Sequence, residues 1–275
     1  MFKDILVRLD EGVSHRVAAD YALSIARKFD AHVAGVAFAY EPVTPSTLMS
    51  GLPVPLYEES RLECEKQAKA AIASFEGSAK GESVSVSSHL VQAPVGDAFA
   101  YTAAMGRHFD LTVVRQEQDG DDGHQQGCIE ALLFGSGRPV IVVPYIQRDA
   151  LKLDRVIVCW DRGQHSARAI GDAMPLLRHA KQIEVVTVAP DRDGNGVPGA
   201  DIGTHLARHG MNVSVRNIVA PGISIADAIL SHAADTSADF MVMGGYGHSR
   251  LREFVLGGVT ETILSSMTIP VLMSH

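Results

Sequence analysis

Apolar residues along this chain fall into short unbroken runs, separated by longer stretches of helical period. Near the start stands Ile5-Leu6-Val7-Arg8-Leu9-Asp10, and near the middle Val156-Ile157-Val158-Cys159-Trp160-Asp161. Both runs end on Asp, and both lead into a helical stretch rich in small residues, Ser14–Phe29 and Gln164–His179. The two halves also close alike, on Pro139-Val140-Ile141-Val142-Val143-Pro144 and Pro270-Val271-Leu272-Met273. Continuous Val/Ile runs that alternate with helices mark strands buried on both faces of a parallel sheet. Their recurrence makes internal duplication the first reading of the fold.

The pattern predicts strands near 153–160, 182–189, 211–219, 239–244 and 270–274 in the second half, with helices near 164–179, 200–209, 223–236 and 257–266. The first half repeats the order, with strands near 3–9, 31–38, 83–91, 110–115 and 139–143. Its second crossover is longer: a Pro-rich loop over Glu41–Leu56, then a helix over Tyr57–Ala79. Strict βα alternation implies right-handed crossovers, and hence an α/β fold of two tandem doubly wound parallel five-stranded sheets. The expected domains are residues 1–147 and 151–275. The last strand of each half should lie at a sheet edge. Pairing residues near 139–143 with those near 270–274 would cover both edges within one chain, making an intramolecular pseudo-dimer that can pair again as a homodimer.

Composition narrows the class without changing this picture. The 275 residues are 46% hydrophobic and 20% charged, an ordinary balance for packed domains. A formal charge of −8 argues against a general nucleic-acid binder. The longest apolar runs fall short of the roughly 18–20 residues that span a bilayer. The chain starts directly on a strand-like run, so no secretion signal is expected there and a cytoplasmic location is. Cys64, Cys128 and Cys159 lie far apart without a CxxC pair, which fits reduced packing cysteines better than a disulfide or zinc framework.

In doubly wound sheets ligands bind beyond the carboxyl ends of the strands. At that place in the second half, after the fourth strand, stands Met243-Gly244-Gly245-Tyr246-Gly247-His248-Ser249-Arg250-Leu251-Arg252-Glu253-Phe254-Val255-Leu256-Gly257-Gly258-Val259-Thr260-Glu261. Gly244 and Gly247 would let main chain approach a ligand without a Cβ in the way. Gly257 and Gly258 open the last helix, whose first N–H groups suit an anion. Arg250 and Arg252 could reach the same anion.

The spacing Gly244-x2-Gly247-x9-Gly257 resembles the nucleotide loop of the universal stress protein family, G-x2-G-x9-G-[S/T], and the two copies resemble its tandem members. The resemblance implies an adenine nucleotide in the second half: ATP, ADP or AMP, with or without Mg²⁺. Asp161 would contact the adenosine portion, and Val188 would offer main-chain contacts to the base. Gly244 and Gly247 would lie against ribose and phosphate, and Gly257 and Gly258 would meet phosphates through their amides. His248 and Val259 complete the expected set. The chain departs from the pattern at Gly258, where the family has Ser or Thr, and Thr260 is the nearby hydroxyl that could replace it. His248 is open to two readings, a phosphate or proton partner and a solvent-facing loop residue.

The corresponding stretch of the first half, Arg115-Gln116-Glu117-Gln118-Asp119-Gly120-Asp121-Asp122-Gly123, lacks the glycine spacing and sets four acids where a phosphate would sit. No nucleotide triphosphate is expected there. Other patterns carry less. Gly194-Asn195-Gly196-Val197-Pro198-Gly199 matches GxGxxG but does not directly follow a strand. Asp191-x-Asp193-x-Asn195-Gly196 has Ile202 where a calcium loop needs Glu. His205 and His209 lack the Glu of an HExxH helix. With no Walker A lysine and no evident carboxylate pair, the expectation is a regulatory nucleotide binder. A slow ATP-hydrolysing or nucleotidyl-transferring enzyme and a nucleotide-independent scaffold are the alternatives.

Overall fold

The computed structural model describes residues 1–9, 16–41, 54–118, 124–189, 199–246 and 258–275. The first half runs β1 (Asp4–Leu9), α1 (Val17–Phe29), β2 (His32–Tyr40), α2 (Val54–Glu82), β3 (Val86–Ala93), α3 (Val95–Gly106), β4 (Leu111–Arg115), α4 (His124–Gly135) and β5 (Val140–Val143). The second runs β6 (Arg155–Cys159), α5 (Gln164–Leu177), β7 (Gln182–Ala189), α6 (Ala200–Arg208), β8 (Val213–Val219), α7 (Ile225–Asp235), β9 (Phe240–Gly244), α8 (Val259–Ser266) and β10 (Val271–Ser274). The elements fall where the apolar runs predict them. The main difference is α2, which is longer at both ends than the expected 57–79. Its face is weakly patterned, which hides its limits in the sequence. It is laced by i,i+3 and i,i+4 ion pairs such as Lys69–Glu65 (2.6 Å) and Arg61–Glu58 (3.1 Å), which support helix independently of a core stripe.

Ten strands form one sheet in the order β3-β2-β1-β4-β5-β10-β9-β6-β7-β8. Within each half all pairings are parallel and the winding reverses beside the first strand, between β1 and β4 and between β6 and β9. The halves meet at a single antiparallel ladder, Val271↔Val142, Leu272↔Ile141 and Met273↔Val140. These two strands are fully buried, as their unbroken Val/Ile/Leu/Met content requires.

Side chains alternate across the sheet. Ile5, Val7, Val156 and Val158 enter one core with α1, α2 and α5, and that core runs through Ile141, Val143 and Leu272 at the join. On the other face, Val114, Leu132 and Val142 of the first half pack in one cluster with Ile157, Met241, Ile263 and Met273 of the second. Both cores therefore cross the seam. Among the described residues no helix is long and apolar enough to cross a membrane.

The antiparallel seam also sets where ligand mouths can lie. The strand ends of one half point opposite to those of the other, so the helix that follows β4 ends beside the mouth of the second half, and α8 ends beside the mouth of the first. Gln116 makes the second contact directly: its amide Nε2 donates to the carbonyls of Leu264 (2.8 Å) and Ser265 (3.1 Å) at the end of α8. Gln116 is buried, and it satisfies carbonyls that the helix leaves without an internal donor.

Candidate functional site

The mouth of the second half is framed by the ends of β6, β7 and β9 and the start of α8. Asp161 follows β6 by two residues. Its Oδ1 accepts from the Gly163 N–H (2.7 Å) and from the Ser166 hydroxyl (2.5 Å), which fixes the carboxylate over the first turn of α5. A Cβ at Gly163 would stand 2.9 Å from that oxygen and would push the carboxylate aside. The side chain is exposed, and among the described residues no hydrogen bond reaches Oδ2. Oδ1 thus holds the turn.

Val188 is half-buried near the end of β7. The Trp160 N–H donates to Val186 O (2.9 Å), so the main-chain groups of Val186 point toward β6. Two residues on, those of Val188 point the same way, but β6 ends at Cys159. The amide and carbonyl of Val188 therefore look into the mouth rather than into a neighbouring strand. Cys159 lines the same face, and burial, then the nearby Asp161 charge, pushes its thiol up to about 12, so it stays a neutral apolar wall. Trp160 turns to the opposite face and packs on the core there.

Gly244 ends β9. A Cβ there would lie 2.6 Å from Ser166 N and 2.8 Å from the His165 carbonyl carbon. Its bareness is thus already required by the close approach of α5 to the sheet, a packing role that the sequence does not distinguish from ligand approach. Gly245 continues the strand with its N–H on Ser274 O (2.9 Å). Tyr246 then turns into the left-handed region (φ 49°) and donates its N–H to Thr260 Oγ1 (3.0 Å). Thr260 is 3% exposed, so its hydroxyl clasps the two ends of the loop together at their base. Gly247, His248 and Gly257, with Arg250 and Arg252, lie outside the described residues.

Gly258 is the N-cap of α8, with φ −61°, ψ 145° and no side-chain cap. The first bond of the helix ladder runs from Thr262 N–H to Gly258 O (3.1 Å). The amides of Val259, Thr260 and Glu261 precede that ladder and carry the positive end of the helix dipole. The structure therefore brings Asp161, Val188, Gly244, Gly258 and Val259 to the same end of the sheet.

The first-half mouth has the same registers and other contents. Arg8 stands at the register of Cys159, since Arg8 pairs Val36 and Cys159 pairs Val186. It is 5% exposed, and its guanidinium donates to Tyr40 Oη (2.6 Å) and Gln125 Oε1 (3.2 Å). Phe38 takes the register of Val188; it is buried and stacks on Tyr40 (centroids 6.2 Å, 15°). At the first turn of α4, where the second half offers amides, the Gln126 N–H donates to Glu117 Oε2 (2.7 Å). The protein's own carboxylate sits where an anionic ligand would. Residues 119–123, with the other three acids of this loop, lie outside the described residues.

Among the described residues no group of three His, Cys, Asp or Glu side chains is arranged to hold a metal ion. His205 and His209 meet edge-on (4.8 Å, 70°) on α6 and its cap, and most of the 191–202 calcium-like stretch lies outside the described residues.

Residues 152–275 match the sequence model of the Universal stress protein family. The universal stress protein Slr1230 of Synechocystis sp. is 28% identical over 156 residues, 54% of this chain and 51% of that protein. The universal stress protein MJ0577 of Methanocaldococcus jannaschii is 36% identical over 59 residues, 22% of this chain and 36% of that protein. The alignments thus span about half, or less, of these relatives. In three dimensions, a universal stress protein from Archaeoglobus fulgidus superposes with a TM-score of 0.74 at 15% identity, covering 98% of this chain and 95% of that one. That likeness establishes the shared fold over both halves. Residues 152–275 thus match the universal stress protein family in sequence, and the whole chain shares the fold of a solved universal stress protein.

Proposed function

We propose that the second half binds an adenine nucleotide and that the chain is a regulatory binder, its shape or partners biased by occupancy. The base would lie against Cys159 and the main chain of Val188, and Asp161 Oδ2 would take a ribose hydroxyl. The phosphates would meet the amides at Gly257, Gly258 and Val259, and Gly247 and His248 would contribute as the family resemblance implies. In this reading the units are residues 1–147 and 151–275, joined as a pseudo-dimer through β5 and β10, and the first unit takes no nucleotide. The observation that carries it is a contrast among the described residues: Val188 lies beyond the end of β6 and the first amides of α8 precede its ladder, whereas Phe38, Arg8 and Glu117 take the matching positions in the first half. Main-chain donors and an acceptor left outside the helix and sheet ladders at the carboxyl end of a doubly wound sheet are groups an anionic ligand can use.

The lost hydroxyl at Gly258 favours modest affinity; Thr260, whose oxygen accepts the Tyr246 N–H, is 3% exposed beneath the loop. Native mass spectrometry of the purified chain, followed by calorimetry with ATP, ADP and AMP, tests the reading. A bound adenine nucleotide that Gly247→Val abolishes supports it. Failure of all three nucleotides to bind at millimolar concentration overturns it. Steady-state release of phosphate or pyrophosphate would convert the binder into an enzyme.

A further inference from the structure

We infer that the ligand mouth of the second half is held in shape by the first half, with Phe134 of α4 as its positioning residue; this rests on the nucleotide reading above. The end of α4 reaches across the seam to both sides of that mouth. The Phe134 ring packs on Tyr246 (5.2 Å, 42°), the residue that turns the chain into the loop, and edge-on to His275 (4.6 Å, 71°). Tyr246 Oη also reaches Glu130 Oε1, one turn earlier on α4 (3.4 Å).

His275 continues the path. Its Nδ1 lies 3.1 Å from Gly245 O, and its ring stacks on His165 (4.2 Å, 17°) in the first turn of α5. The next residue, Ser166, is the one whose hydroxyl holds Asp161. One phenyl ring from the first half thus bears on the strand end that launches the phosphate loop and, through two imidazoles, on the turn that aims the carboxylate. Aromatic pairs of this kind contribute about 0.5–1.5 kcal/mol beyond their buried area. Tyr246 is the point where that matters most, because a non-glycine residue in the left-handed region persists only when its surroundings hold it there.

The pseudo-symmetric contact supplies a control. Gln116, at the register of Gly245, makes the equivalent cross-seam contact to α8 at the other mouth, and its side-chain hydrogen bonds among the described residues go to Leu264, Ser265 and Tyr145. Two measurements on the full-length chain decide the inference: ATP affinity by calorimetry, and hydrogen exchange of the Tyr246 amide without ligand. Phe134→Ala should weaken ATP binding about tenfold and speed Tyr246 exchange about tenfold, with amides of β2 unchanged. Phe134→Tyr should restore both, and Gln116→Ala should alter neither. Equal effects from Phe134→Ala and Gln116→Ala would show only a general loosening of the seam and overturn the inference, as would no effect of Phe134→Ala on exchange. If the wild-type chain binds no ATP, the nucleotide reading falls, and exchange at Tyr246 alone decides whether Phe134 positions the loop.

Discussion

At the end of β1 the chain places Arg8, and at the same register on β6 it places Cys159. The pairs Phe38 and Val188, and Arg115 and Gly244, follow the same registers. In each pair the first half has the larger side chain. Arg8 links Tyr40 to Gln125, Phe38 stacks on Tyr40, and Arg115 is 2% exposed with Nη1 on Gln116 O (3.1 Å). Burying guanidinium groups is costly unless their donors are answered, and here acceptors lie at hand. The second half has smaller residues at these registers, and its α5 closes onto Gly244. One fold thus ends its two sets of strands differently, with large interlocked side chains in one half and with Cys159, Val188 and Gly244 in the other.

The sharpest break of this contrast is Gly244→Ala. The new methyl must displace Ser166 N from 2.6 Å, so unfolding free energy should fall by about 1–3 kcal/mol in denaturant titrations, with nucleotide affinity lost as Asp161 moves. Full stability in that variant would mean α5 is not seated on the strand end. The aspartates test the division of labour next. Asp161→Ala should lower nucleotide affinity about tenfold, the scale of one charge-assisted hydrogen bond, whereas Asp10→Ala should leave calorimetric affinity unchanged. Equal losses would erase the distinction between the halves.

In the first half, Glu117→Ala removes the carboxylate from the start of α4. It should lower stability by about 1 kcal/mol without touching nucleotide affinity, as thermal unfolding with and without ATP would report. The smallest effect concerns pH. Burial, then the neighbouring His275 and Arg168, holds His165 below the ordinary histidine range, against an opposing pull from Asp161. The unfolded chain therefore binds a proton more readily at this site. The stability it contributes is complete above the ordinary range and is lost as pH falls through the lowered value. Melting temperature should drop on acidification from pH 7.5 to 5.5, less so in His165→Gln. The first half has Ser14 at this place in the sequence.

Much of the architecture was legible because burial on both faces writes itself as uninterrupted apolar runs. Val140–Val143 and Val271–Ser274 read as edge strands needing cover, and they cover each other. The candidate site was legible only in part. The missing glycine spacing after β4 marks the first mouth as altered. That Glu117 would turn back onto Gln126, or that Arg8 would find Tyr40 and Gln125, depends on partners 9 to 117 positions away, which no local pattern encodes. Gly244 reads as a ligand glycine, yet its neighbour is Ser166, met only once α5 is docked. Thr260 is near enough in sequence to replace a hydroxyl at 258, but N2 of a helix points it back to Tyr246. The link from Phe134 to Tyr246 and His275 could be found only from the antiparallel seam, which sets the end of one half's helix beside the other half's strand ends.

That seam joins two stretches of a single polypeptide. In a dimer of identical copies, every substitution appears on both sides of the two-fold axis, so one mouth cannot be sealed without sealing its mate. Here Gln116 and Gly245 occupy matching places and meet different neighbours. Two stretches of one polypeptide can differ in this way and still stay together, because the covalent link holds them at high effective concentration. Arg8 can therefore fill one sheet end while Cys159 stands at the same register of the other.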